Sequence, residues 1–139
     1  MNNTAKKALS LKFAFLTAVA PLMMLSSPAS AGIFRKSCKD AYLKVQNDTS
    51  QKIKVIDLDY WDEKDDKWRS EPVPNEVIPS GQPWQEIRNL EKVNKDDTKI
   101  RVKYRTLTNK GKWSWKVSKK ESGTLVKCTQ GQQYTITLR

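Results

Sequence analysis

The stretch Lys99-Ile-Arg-Val-Lys-Tyr-Arg105 alternates basic side chains with apolar or aromatic ones without an error. Because successive side chains of a β-strand point to opposite faces of a sheet, this order places the apolar side chains on one face and the basic ones on the other. The stretch Lys112-Trp-Ser-Trp-Lys-Val-Ser118 alternates in the same way. Together the two stretches predict a sheet with one buried face and one basic face.

The residues between these stretches, Thr108-Asn-Lys-Gly111, are typical of a hairpin turn. A turn at that position sets the register of the hairpin and places Tyr104 opposite Trp115 on the apolar face. It also places Lys103 opposite Lys116 on the basic face, where like charges repel. A shift by one residue would mix the two faces, so the pattern specifies this register.

The rest of the chain after Gly32 shows short alternating runs separated by turn residues, which favours about seven or eight antiparallel strands in a β-sandwich. A small β-barrel is the alternative. The alternation slips near Val55 and Ile56, which predicts a β-bulge, and Asn47-Asp-Thr-Ser50 predicts a turn. The other predicted strands are residues 41–45, 52–61, 84–90, 124–128 and 134–138, of which the last two are expected to form a hairpin.

Residues 1–31 have the three regions of a secretory signal peptide. Three lysines precede an apolar run at 13–25, and Ala29-Ser-Ala31 is typical of a cleavage site. The apolar run is shorter than the roughly 20 residues that a membrane-spanning helix needs. The sequence therefore predicts one exported domain, residues 32–139, which is periplasmic or secreted and has no transmembrane segment after cleavage.

The only two cysteines, Cys38 and Cys128, lie near the two ends of this domain. An exported protein folds where thiols oxidise, so the two cysteines are predicted to form a disulfide bond.

The composition narrows the possible chemistry. The chain has no histidine, so it lacks the usual general base and the usual zinc ligand, and bridged cysteines leave no thiol nucleophile. A carboxylate glycoside hydrolase that uses Asp57 and Asp59 is the remaining enzymatic alternative. We predict no enzymatic activity, no metal and no cofactor, although calcium binding by the acidic segment 57–66 stays open.

The net charge of the chain is +11, and removal of the leader with its three lysines leaves +8. Such an excess favours an anionic partner. The basic face is either balanced by Asp57 and Asp59 or used for binding an envelope protein or an anionic surface molecule, such as lipopolysaccharide, phospholipid or an acidic glycan; nucleic acid is not expected. The candidate binding residues are Lys99, Arg101, Lys103, Arg105, Lys112 and Lys116.

Five tryptophans are many for a domain of this size. Trp113 and Trp115 share the predicted apolar face and are expected in the core, whereas Trp61, Trp68 and Trp84 lie near turns or edges and are candidate aromatic contacts. The layout, an early strand that ends in Asn47-Asp-Thr and then a tryptophan-rich set of strands, is similar to that of small secreted lipid-binding cytolysins such as the aegerolysins. That similarity implies a lipid- or membrane-binding protein as the alternative to an exported, non-enzymatic binding protein of the cell envelope.

Overall fold

The computed structural model describes residues 36–139, and the predicted signal peptide at 1–31 lies outside this range. The described residues form strands, turns and bends and contain no helix, which confirms the predicted all-β class. The strands are β1 (Cys38–Asn47), β2 (Ile53–Asp62), β3 (Lys67–Glu71), β4 (Val77–Ile78), β5 (Pro83–Leu90), β6 (Asp97–Thr98), β7 (Ile100–Thr106), β8 (Ser118–Glu121), β9 (Val126–Lys127) and β10 (Gln133–Leu138).

Most of the strands belong to two sheets. The large sheet has five strands, in the order β3-β2-β7-β8 with β4 also paired to β2. The small sheet has three strands in the order β10-β1-β5, and β6 pairs with β9 separately. Each sheet ends in edge strands, so the arrangement is sandwich-like and the alternative of a closed barrel is wrong.

The large and small sheets share one hydrophobic core. The small sheet contributes Leu43 and Ile136, and the large sheet contributes Leu58 and Val102, all of them almost completely buried. The neighbours of these residues along each strand point outward, as the two-residue period of a strand requires. This confirms the predicted apolar face of β7.

The predicted bulge in β2 is present. The register of β2 against β7 shifts between Val55 and Asp57. Beyond this shift, Asp57 lies beside Lys103 and Asp59 lies beside Arg101 on the neighbouring strand. The bulge therefore sets which carboxylates face the basic side chains of β7 on the outer face of the large sheet.

The predicted turn after β1 is also present, and the buried Asn47 side chain organises it. Its Oδ1 accepts a hydrogen bond from the backbone N of Thr49 at 3.2 Å. Its Nδ2 lies within hydrogen-bond distance of the carbonyl oxygens of Gln51, Ile78 and Pro79, at 2.9, 3.0 and 3.0 Å. These contacts fix the end of the sandwich where β2 begins and β7 ends.

The predicted disulfide bond is confirmed. Cys38 and Cys128 are joined with a Cα–Cα distance of 5.9 Å, and both residues are buried. The bond connects the start of β1 with the residue after β9 and closes a loop with a sequence separation of 90 residues. By the chain-entropy model a loop of this length stabilises the folded state by roughly 4–5 kcal/mol.

The chain after β7 departs from the predicted hairpin. The turn at 108–111 forms, since the Thr108 backbone N donates to the Lys112 carbonyl at 2.8 Å. The chain then leaves the sheet, and β8 begins only at Ser118, which pairs with Tyr104. The predicted pairing of Tyr104 with Trp115 is therefore wrong, and residues 112–117 form no strand apart from one bridge between Trp113 and Leu107.

A local hydrogen bond gives the physical reason for this difference. The Ser114 hydroxyl accepts a hydrogen bond from the backbone N of Lys116 at 3.1 Å, so the chain turns there instead of continuing the ladder. As a result Trp115 is 93 % exposed, not buried in the core as predicted. Lys103 lies opposite Lys119 rather than the predicted Lys116.

The last two predicted strands do not form a hairpin with each other. β9 pairs with β6, whereas β10 pairs in parallel with β1. Alternation in β10 buries Tyr134, Ile136 and Leu138, which completes the core beside β1. Val126 of β9 is exposed, so β9 offers no apolar face that would draw β10 to it.

Candidate functional site

The outer face of the large sheet carries the basic side chains predicted from the sequence. On β7, Arg101, Lys103 and Arg105 alternate with Ile100 and Val102, and the last two are fully buried in the core. The three basic residues therefore point away from the core, as predicted.

Three of the six candidate residues have carboxylate partners within the protein. The Arg101 guanidinium lies 2.7 Å from Asp59, and the Lys103 ammonium lies 2.7 Å from Asp57 and 2.9 Å from Asp59. Lys99 pairs with Glu121 on β8 at 2.5 Å. We call Lys99, Arg101 and Lys103 the paired cations. The positive charges of the paired cations are thus balanced by carboxylates of the protein itself. A role of these three residues in ligand binding stays a prediction.

The Lys103 ammonium joins two acids of β2. Its hydrogen bond to Asp57 raises the pKa of Lys103, against the opposing effect of partial burial and with further help from Asp59. Asp59 is almost completely buried, so removal of Lys103 would leave a buried carboxylate short of a partner. Lys103 therefore stabilises the pairing of β2 with β7.

The other candidate residues, Arg105, Lys112 and Lys116, lie at the opposite end of β7 and in the loop that follows. No carboxylate of residues 36–139 lies within ion-pair distance of them. Arg105 lies directly opposite Lys54 on β2, and its Nε is shielded from solvent without a hydrogen-bond partner in the described range. We define the basic end as Lys52, Lys54, Arg105, Lys110, Lys112 and Lys116.

The loop at residues 107–117, which we call the β7–β8 loop, supplies half of the basic end and contains no acidic residue. Its base is held by the Thr108 turn and by a hydrogen bond from the Ser114 backbone N to the Thr106 carbonyl at 2.9 Å. Lys54 lies 4.5 Å from the centre of the Trp113 ring. The sequence pattern identified Lys112 and Lys116 of this loop but not Lys110. It assigned both Trp113 and Trp115 to the core, whereas Trp113 is only half-buried and Trp115 is exposed.

Two of the candidate tryptophans form a pair at the other end of the sheet. Trp61 and Trp68 are cross-strand neighbours whose ring centres lie 5.4 Å apart in an edge-to-face arrangement. The Arg101 guanidinium lies 4.0 Å from the centre of the Trp68 ring, and Lys99 approaches the same ring. The shallow cleft of about 340 Å³ beside them therefore presents a Trp68 ring already contacted by cations.

Trp84, the third candidate aromatic contact, lies in a different place. It is in β5 of the small sheet, beside Val45 of β1, and it is half-buried against the core. The structure therefore does not bring Trp84 together with Trp61 and Trp68, which lie on the outer face of the large sheet.

Comparison with known proteins gave no match to a protein-family model, to a curated protein or to a solved structure.

The acidic segment after the bulge is occupied by cations of the protein itself. The Lys103 ammonium donates hydrogen bonds to both carboxylates of the hydrolase alternative, at 2.7 Å to Asp57 and 2.9 Å to Asp59. Further along, Arg69 binds Asp62 and Asp65, at 2.6 and 2.5 Å. Among residues 36–139, no group of three or more acidic, histidine or cysteine side chains is placed to hold a metal ion.

Two titratable groups with shifted pKa values lie on the inward side of the large sheet, away from the basic end. Burial raises the pKa of the Glu71 carboxyl, and the nearby Arg88 opposes this effect. Burial also raises the pKa of Tyr60 to about 12, with the Glu71 carboxylate as the next cause. Within residues 36–139, no helix is long and apolar enough to cross a bilayer.

Proposed function

We propose that the protein is exported, has no enzymatic activity, and binds an anionic partner in the bacterial cell envelope through the basic end. The observation that carries this proposal is the division of the predicted basic residues. The paired cations are neutralised by acids of β2 and β8, whereas the cations of the basic end have no such partner in the described part of the chain.

Unbalanced charge of one sign is unfavourable for folding, and it is concentrated here. Lys54 and Arg105 lie directly opposite each other on neighbouring strands, where like charges repel. An anionic ligand would relieve this repulsion on binding. Lipopolysaccharide, phospholipid and acidic glycans all carry suitable groups, and an envelope protein with an acidic surface is the alternative partner.

The chemistry of the side chains supports a binding protein rather than an enzyme. The common catalytic groups are either missing from the chain or already bonded to other residues of the protein. The chain has no histidine, and both cysteines are bridged. Asp57 and Asp59, the only carboxylate pair that the sequence suggested for hydrolysis, both contact Lys103.

Heparin binding tests the proposal, since heparin is a soluble polyanion. We expect Lys112→Gln combined with Lys116→Gln to weaken heparin affinity on the order of tenfold at low salt. The matched control is Lys39→Gln with Lys127→Gln, which removes the same charge from exposed positions next to Cys38 and Cys128. An equal loss of affinity in both pairs would attribute binding to net charge alone and would contradict the proposal.

A further inference from the structure

Trp115 is the most exposed large apolar residue recorded for residues 36–139, with 93 % of its surface open to solvent. The other four tryptophans are partly covered by the protein. A ring of this size gains much free energy when it leaves water. Its position outside the fold therefore calls for an explanation other than packing.

The loop that carries Trp115 has a defined shape at its base. The Thr108 hydroxyl donates a hydrogen bond to the Lys112 carbonyl at 2.7 Å. Gly111 has a positive φ of 70°, a backbone conformation that favours glycine. Lys54 contacts the Trp113 ring from β2. The loop therefore presents Trp115 from an anchored base at the end of the large sheet where β7 ends.

The charged residues of the loop that carries Trp115 are all of one sign. Lys110, Lys112 and Lys116 lie within the same loop, and the loop contains no acidic residue. Tryptophan and lysine together are typical of segments that lie at the membrane interface, where the ring enters the headgroup layer and the ammonium groups meet lipid phosphates.

A protein partner fits this surface less well than a bilayer does. The centres of protein interfaces are depleted in lysine and are built from contiguous apolar area. Here Val117 is the one other large apolar residue of the loop that is exposed, and lysines flank Trp115 on both sides. The charge and the single protruding ring therefore favour a surface of anionic phospholipid.

We propose that the β7–β8 loop docks on a bilayer that contains anionic phospholipid, with the Trp115 ring inserted at the interface and Lys110, Lys112 and Lys116 against the phosphates. This inference rests on the proposed function and names its partner. It also assigns to Trp115 a binding role that the alternating sequence pattern did not reveal.

Co-sedimentation with vesicles tests this inference on the purified protein, once its intact mass has established where the chain begins. The vesicles contain phosphatidylglycerol with phosphatidylcholine, or phosphatidylcholine alone. We expect Trp115→Ala to weaken binding to the anionic vesicles on the order of tenfold and to leave heparin affinity unchanged. The matched control is Ile87→Ala, which truncates another exposed apolar residue, 55 % exposed, on the small sheet.

A second measurement reports insertion directly. Brominated phospholipids quench tryptophans that enter the bilayer, so we expect vesicle-dependent quenching of the wild-type protein and loss of that quenching in Trp115→Phe. Trp115→Phe should keep most of the affinity, because an aromatic ring remains.

The outcomes separate this inference from the proposed function. If the lysine pair governs heparin binding but Trp115→Ala binds anionic vesicles as wild type does, the lipid inference is overturned and the anion-binding function stands. Binding to phosphatidylcholine vesicles that equals binding to the anionic ones would also overturn it. If the lysine pair affects heparin binding no more than its control does, the proposed function itself fails.

Discussion

At the scale of single residues, the exposed position of Trp115 predicts that its side chain contributes little to the free energy of unfolding. Truncation of an exposed side chain removes little packing, so we expect Trp115→Ala to change the free energy of unfolding by less than about 0.5 kcal/mol. The hairpin predicted from the sequence would instead require a loss of about 3–5 kcal/mol. Urea unfolding can compare this variant with Leu58→Ala, whose buried side chain should lose about 2–5 kcal/mol. Equal losses in the two variants would contradict the exposed position.

A second residue, Glu71, should give stability a specific dependence on pH. Burial raises the pKa of its carboxyl in the folded state, so the ionised form is disfavoured there. The resulting penalty is absent at low pH, where the carboxyl is protonated, and develops as the pH rises through the folded-state pKa. We therefore expect Glu71→Gln to raise the free energy of unfolding relative to wild type near neutral pH, and the gain to shrink at about pH 4.

The measurement for Glu71 is urea unfolding of wild type and variant at both pH values. Glu63→Gln is the control, because Glu63 is exposed in the turn after β2. A gain that is the same at both pH values would show that ionisation of Glu71 is not its cause.

At the scale of elements, alternation was enough to find β1, β2, β5 and β7, because each buries one side against the core. It was also enough to locate the bulge, since a bulge moves apolar residues from one parity to the other. Alternation failed at 112–117, where Ser114 offers the backbone a hydrogen bond that competes with the ladder. The alternation of apolar and polar residues does not show whether a side chain will form a hydrogen bond in place of the strand pairing.

Alternation also reports which face of a strand is apolar and not which strand lies beside it. The parallel pairing of β1 with β10 joins the two ends of the domain and was missed for that reason. The same limit applied to the candidate site. The sequence placed Lys103 on the outer face and named Asp57 and Asp59 as possible partners, but only the register of β2 against β7 shows that they meet.

At the scale of the whole molecule, the disulfide and the predicted processing can be tested together. We expect exported protein to have an intact mass that corresponds to a start at Gly32 or within about two residues of it. Its two cysteines should resist alkylation until a reductant is added, because Cys38 and Cys128 are bonded and buried. A product that retains residues 1–31 would contradict the signal peptide, and two thiols that alkylate without reductant would contradict the bond.

We propose that the basic residues of the whole molecule divide into a structural group and a binding group. The division places Lys103 with the acids of β2, whereas Lys116 has no carboxylate partner in the described part of the chain. Each substitution, Lys103→Gln and Lys116→Gln, removes one positive charge, so net charge cannot explain a difference between them.

The most direct test measures two quantities for both variants, the free energy of unfolding in urea and the affinity for heparin at low salt. We expect Lys103→Gln to lower the free energy of unfolding and to leave heparin affinity nearly unchanged, because it removes the cation that pairs with Asp57 and one of the two cations, Lys103 and Arg101, that pair with the buried Asp59. We expect Lys116→Gln to leave stability unchanged and to weaken heparin binding. If Lys103→Gln weakens heparin binding as much as Lys116→Gln and leaves stability intact, the division is contradicted.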